Sequence, residues 1–237
     1  MRTGYLFKMK TTNAILISFV LCFAGSSLAV SFNNSQINTP IVTLPSPDLK
    51  HGIPLNSALK ERRSHRRFSS TTLSLADLSQ LLWSAQGITH LLGFRTAPSA
   101  GAKYPLEIYI VAGNVNELPP GIYHYHADSH QLERVAMGDH RKALAQAAGK
   151  QSSIAKAAVT LVISAVPRRT EKKYGPRATR YVHIEAGSAA QNIYLQAASL
   201  HLGTVYVGSF VDKEVKRIVR LPDNYEALGL MPVGHLP

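Results

Sequence analysis

Four arginines and a serine fall within six positions at Arg62-Arg63-Ser64-His65-Arg66-Arg67, followed by Phe68. A stripe of that density repels itself, so an anion set against it is stabilised. Guanidinium groups are permanently charged forks that match phosphate oxygens, and a serine hydroxyl adds a further hydrogen bond. Alone, the heptapeptide is better read as a solvated basic face. A second basic segment, residues 168–180, contains Lys173-Tyr174-Gly175. Repulsion from the neighbouring cations disfavours the lysine's charged form and favours the phenolate of the tyrosine beside it. Such a pair could pass protons near neutral pH; alone it also fits an exposed loop with ordinary charges.

Two further stretches could approach a ligand through their backbones. Pro98-Ser99-Ala100-Gly101-Ala102-Lys103-Tyr104-Pro105 places small residues around a glycine between two prolines. By itself this is a turn. Val207-Gly208-Ser209-Phe210 follows a strand and is expected to open a helix, whose free N–H groups would suit a carbonyl or an anionic ring atom. His124 and His126 stand two apart on an expected hairpin, but nearby carboxylates give no clear third ligand, so no metal site is expected. No G-x-S-x-G elbow is present.

The chain has 237 residues and a formal charge of +12. Residues 1–29 read as an export signal: Arg2, Lys8 and Lys10 precede an apolar run, and Ser27-Leu28-Ala29 supplies small residues for cleavage. Retention of this segment as a membrane anchor is the alternative, although the run is short for a bilayer. Cys22 lies inside it and is the chain's single cysteine, so the mature protein has no disulfide, thiolate metal site or cysteine nucleophile. Most of the mature positive charge lies in residues 61–67 and 168–180. Charge that local suggests a discrete anionic ligand and not a nucleic-acid track.

The elements that would position these residues follow from periodicity. Residues 30–54, rich in Pro, Asn and Ser, read as an extended linker or an arm lying on a partner; one domain is expected over 55–237. Leu55–Glu61 is a short helix delivering the arginines. Ser74 caps a helix with its apolar stripe at Leu75, Leu78, Leu81, Leu82 and Ala85. Strands are expected at Leu106–Ala112, Gly121–Tyr125, Gln131–Val135, Ala158–Val166, Thr204–Val207 and Ala227–Gly234, and helices at Asp139–Ala148 and Asp212–Val219. Ala178–Leu202 is the longest helix, with Gly187-Ser188-Ala189 keeping its first half thin and Gly203 expected as its cap. Strands and helices interleave without a regular βαβ repeat or G-x-G-x-x-G turn, which argues for an α+β sandwich.

In this order and spacing, the Arg62–Phe68 stretch, Pro98–Glu107, Lys173–Arg177, Glu185-Ala186-Gly187-Ser188-Ala189-Ala190-Gln191-Asn192 and Gly208-Ser209-Phe210 resemble the nitroreductase superfamily. The closest branch is the SagB-type dehydrogenases, which include flavin subunits that oxidise thiazoline and oxazoline rings in peptides. The resemblance runs from about Leu55 to Pro237. It implies an α+β homodimer, with a mostly antiparallel sheet flanked by helices, binding FMN at the subunit interface. It implies that Arg62, Ser64 and Arg66 hold the FMN phosphate and ribityl chain, and that Arg63 touches the ring through its backbone. Pro98, Ser99 and Gly101 would line the flavin, Gly208 and Ser209 would approach its reactive nitrogen edge, and Gln191 would lie beneath it. Lys173 and Tyr174 match the pair credited with proton handling.

Two departures accompany the resemblance. Many nitroreductases complete the phosphate clamp with a basic C-terminal tail, whereas this sequence ends Gly234-His235-Leu236-Pro237, so either another arginine substitutes or the nucleotide is held more weakly. An exported enzyme is also separated from the cytoplasmic NAD(P)H pool. The expected activity is therefore hydride transfer between a small-molecule or peptide substrate and flavin in the periplasm or outside the cell, with an electron partner that the sequence does not identify. An NAD(P)H-dependent nitro- or quinone reductase is the second reading. A non-enzymatic basic module binding anionic polymer or lipid is the third.

Overall fold

A computed structural model describes residues 40–237. The expected signal, residues 1–29, lies outside the described residues, as does the start of the expected arm. The rest of that arm contains a strand, β1 (Ile41–Thr43), paired antiparallel with β4 (Gln131–Met137) of the same chain. Ordered structure therefore starts well before residue 55.

The other strands are β2 (Leu106–Ala112), β3 (Gly121–His126), β5 (Val159–Ala165), β6 (Leu202–Thr204) and β7 (Glu226–His235). They form one seven-stranded sheet in the order β1-β4-β3-β2-β5-β7-β6, and every neighbouring pair is antiparallel. The helices are α1 (Leu55–Glu61), α2 (Leu75–Gln86), α3 (Arg141–Ala147), α4 (Ser152–Lys156), α5 (Arg168–Tyr174), α6 (Ala178–Ser199) and α7 (Asp212–Val219). Local signals explain several of these bounds. The Ser74 hydroxyl accepts from the Asp77 N–H at 2.9 Å and starts α2. Apolar residues at 215, 218 and 219 make the buried stripe of α7.

Helices cover both faces of the sheet, so the strand between them is buried throughout, and every residue of β5 is inaccessible. On one face Ile108, Ile110, Leu161 and Ile163 pack against Leu78, Leu81 and Leu82 of α2 and Ala186, Ala189 and Ile193 of α6. On the other, Val111 and Val162 pack against Leu144, Ile154, Val215 and Val219. Burial of this apolar area, at about 25 cal/mol per Å2, is the main stabilising term.

Two expected features fall elsewhere. Gly203 does not cap α6; it lies within β6, and the left-handed residue after the helix is His201 (φ 54°). A Cβ on Gly203 would stand 2.6 Å from Leu236 and 2.9 Å from His65, so close packing explains this glycine. Gly208 and Ser209 do not open α7, which begins at Asp212. Only Val207 of the intervening stretch pairs, as an isolated bridge to Leu230.

Candidate functional site

Helix α6 is the spine of the candidate site, because side chains along it tether three separate segments that carry the expected ligand contacts. Near its C-terminal end, the Tyr194 hydroxyl lies 3.0 Å from Ser64 Oγ and accepts from the Tyr206 N–H at 2.7 Å. One hydroxyl thus ties the arginine stretch to the segment that leads into Gly208 and Ser209. The His65 N–H donates to the Thr204 carbonyl at 2.8 Å, extending this junction along β6. The Arg62 guanidinium sits 5.2 Å over the Tyr194 ring. Arg63 turns back, donating to the carbonyls of Lys60 and Arg62, both at 2.8 Å. Arg62, Arg63, Arg66 and Arg67 have no carboxylate partner among the described residues, so their charge is free to meet an outside anion.

The middle of α6 holds the Pro98–Pro105 loop. Asn192 donates to the Thr96 carbonyl at 3.2 Å. Glu185 is only 2% exposed, with the Ser99 hydroxyl and the Arg95 guanidinium beside it. Burial pushes its carboxyl up to about 7, against the opposing pull of Ser99 and Arg95. One oxygen, Oε1, has no hydrogen-bond partner among the described residues. Ser99 Oγ also accepts from the Tyr104 N–H at 2.8 Å.

This loop is strained. Gly101 (φ 58°), Ala102 (φ 52°) and Tyr104 (φ 44°) all occupy the left-handed region, which costs non-glycine residues about 1–2 kcal/mol each. Arg95 stacks over the Tyr104 ring at 4.9 Å and Arg169 donates to its carbonyl at 3.0 Å. The surroundings therefore over-determine the conformation, a pattern associated with functional turns.

Lys173 and Tyr174 close the loop's other side. They lie on the last turn of α5, a helix and not the loop that the sequence also allowed. A Cβ on Gly101 would stand 2.7 Å from Tyr174 Oη and 2.9 Å from Lys173 Nζ. Lys173 lies 5.4 Å from the Tyr174 ring centroid, and Tyr181 of α6 meets that ring edge-on at 4.9 Å.

The structure thus brings Ser99 to Glu185, Gly101 to Lys173 and Tyr174, and Ser64 and Arg62 to Tyr194. Pro98, Arg66, Gln191, Gly208 and Ser209 are exposed. Gln191 shares the outer face of α6 with Ile184, 59% exposed, and with Gly187, where an added Cβ would meet nothing within 4 Å. The tethering residues Glu185, Asn192 and Tyr194 had no assigned role in the sequence. Glu185 and Asn192 lie inside a recognised motif, but nothing local marks Tyr194.

Away from this face, His124 and His126 do acquire a third group. Glu133 faces His124 across the hairpin.

The sequence profile of the nitroreductase family matches residues 59–235. A candidate nitroreductase of Methanocaldococcus jannaschii is 46% identical over 188 residues, covering 79% of this chain and 93% of that protein. The crystal structure of a candidate nitroreductase from Ralstonia eutropha JMP134 superposes with a TM-score of 0.74 at 31% identity, over 83% of this chain and 90% of that one. The NADPH:FMN oxidoreductase of Vibrio harveyi, solved with NAD+, shares the fold at a TM-score of 0.54 and 22% identity, over 76% of this chain and 68% of its own.

Proposed function

The chain belongs to the nitroreductase family of oxidoreductases, and from that premise we propose that it is an FMN-dependent, SagB-type dehydrogenase acting on a small-molecule or peptide substrate. The residues present fit the nucleotide. Arg62, Arg63, Arg66 and Arg67, which have no carboxylate partner among the described residues, suit a phosphate, and the Ser99–Ala102 turn offers backbone to a flat ring. Arg62, Ser64 and Arg66 hold the phosphate end. Pro98, Ser99 and Gly101 line the ring, with Gly208 and Ser209 along its edge and Gln191 beneath it. When bound, FMN supplies the acceptance and release of hydride.

One observation carries the substrate-oxidising reading. Lys173 and Tyr174 reach Gly101 from a different helix, so the expected proton-handling pair meets the expected ring-lining turn. Tyr174 Oη and Lys173 Nζ can take a proton from a substrate as hydride leaves it. Completion of the site by a second copy is part of the proposal, supported by the exposed apolar face at Ile184 and Gly187. So is export through residues 1–29.

The test is the absorbance spectrum of the purified mature protein, before and after addition of FMN. A flavin spectrum that survives gel filtration is expected. Arg62→Ala combined with Arg66→Ala should strip the phosphate contacts and release FMN; unchanged loading would overturn the assignment. The similarity to the Methanocaldococcus protein favours a second reading, an NAD(P)H-dependent nitro- or quinone reductase. Stopped-flow mixing separates the two, because rapid bleaching of the flavin by NADH or NADPH selects the reductase.

A further inference from the structure

Three adjacent strands carry an ionisable cluster that the proposed redox chemistry does not use. His124 and His126 stand two residues apart on β3, so both rings leave the same face of the sheet. Glu133 on β4 is the register partner of His124. One ligand atom from each of these three half-buried residues lies within 4.8 Å of the other two. His126 Nε2 is 2.8 Å from Glu133 Oε2.

Neighbours hold the cluster in place. On the opposite side of β3, Tyr109 of β2 is also the register partner of His124, and its ring stacks on the imidazole at 4.4 Å and 10°. Glu107 Oε2 lies 2.7 Å from His124 Nε2. Arg169 is ion-paired to Glu107 and donates to the Tyr104 carbonyl, so its charge is already engaged. His124, His126 and Glu107 line a cavity of about 560 Å3.

We propose that His124, His126 and Glu133 bind a zinc-type divalent cation whose fourth coordination position opens into this cavity. Two imidazoles and one carboxylate, with one position left free, suit zinc and its late first-row neighbours. Calcium and magnesium call for oxygen ligands and are disfavoured. The ion takes the place of the His126–Glu133 hydrogen bond. Glu107 orients the His124 imidazole, as carboxylates beside ligating histidines do. Zinc bonds of about 2.0–2.2 Å draw the three ligand atoms closer by side-chain rotation. Strand register fixes the backbone positions beforehand.

The test uses the purified full chain with FMN bound and any affinity tag removed, and Zn2+ and Co2+ as probes. About one equivalent of Zn2+ should remain after dialysis, by elemental analysis, and Co2+ should give the visible absorption of a low-coordinate site. His126→Gln and Glu133→Gln should each weaken retention at least tenfold with flavin content unchanged. Glu107→Gln should weaken it by about 10- to 100-fold. Failure of the wild-type protein to retain Zn2+, or equal retention by the His126→Gln/Glu133→Gln double variant, would overturn the site. Should a variant misfold, imidazole NMR of the wild-type protein decides: Zn2+ must move the His124 and His126 signals, and unmoved signals reject it.

Discussion

Tyr174 reaches so close to Gly101 that a Cβ on the glycine would stand 2.7 Å from the phenolic oxygen. These residues are brought together by the packing of α5 against the Pro98–Pro105 loop. The glycine has two reasons to be there, its left-handed backbone and the absence of a side chain where Lys173 and Tyr174 approach.

Gly101→Ala should therefore act on stability and on turnover together. The left-handed backbone alone costs about 1–2 kcal/mol, and the added methyl displaces both partners. A lowered denaturation midpoint accompanied by reduced kcat is expected. An alanine variant matching the wild type in both would remove the loop from the site.

Lys173→Ala and Tyr174→Phe should retain FMN while lowering kcat by about 10²- to 10⁴-fold, the range for a positioned acid or base. Flavin absorbance of the variants together with single-turnover rates checks this. Turnover at the wild-type rate in both variants would confine the pair to a structural role.

Tyr194→Phe removes the hydroxyl that joins Ser64 Oγ to the Tyr206 N–H. The half-buried Tyr206 N–H left without its partner costs at most about the 1–3 kcal/mol of a fully buried donor. The variant should melt earlier and bind FMN more weakly, because the arginine stretch loses its anchor. Fluorescence titration with FMN measures the second effect directly.

Glu185 predicts a pH dependence of stability with a definite sign. Burial raises its folded carboxyl to about 7, above the ordinary value of 4.5. The folded chain thus keeps this proton after the unfolded chain has lost it. The contribution is fully present below pH 4.5 and is lost as pH rises towards and through 7. Glu185→Gln, which cannot ionise, should remove the loss of stability that Glu185 contributes as pH rises from about 5 to 8. Urea midpoints across that range report it. His130, whose ring burial lowers, contributes with the opposite sign and is common to both proteins, so the comparison isolates Glu185.

Local chemistry was legible without the fold. The bounds of α1 and α7 follow from short-range patterning, and the start of α2 from the Ser74 cap. The long apolar run gave the central strand β5, because a strand buried on both faces needs no alternation. The charge of the arginine stretch was likewise a property of sequence, and so was the order of motifs that signals the family. Interactions spanning many residues were not legible. Gly203 read as a cap, although its place is set by β7, which it pairs with, and by His65 and Leu236, which a Cβ would meet. Tyr194 carried no local mark, since its partners lie 130 and 12 residues away. Glu133 became a neighbour of His124 only through the register of β3 and β4. Sequence determined most of the helices and strands, though not β1, α4 or α5, and where positive charge collects, because those depend on near neighbours. Only tertiary packing decided that Lys173 and Tyr174 meet Gly101, and that α6 gathers the remaining segments, because those contacts depend on strand order and on how helices seat against the sheet.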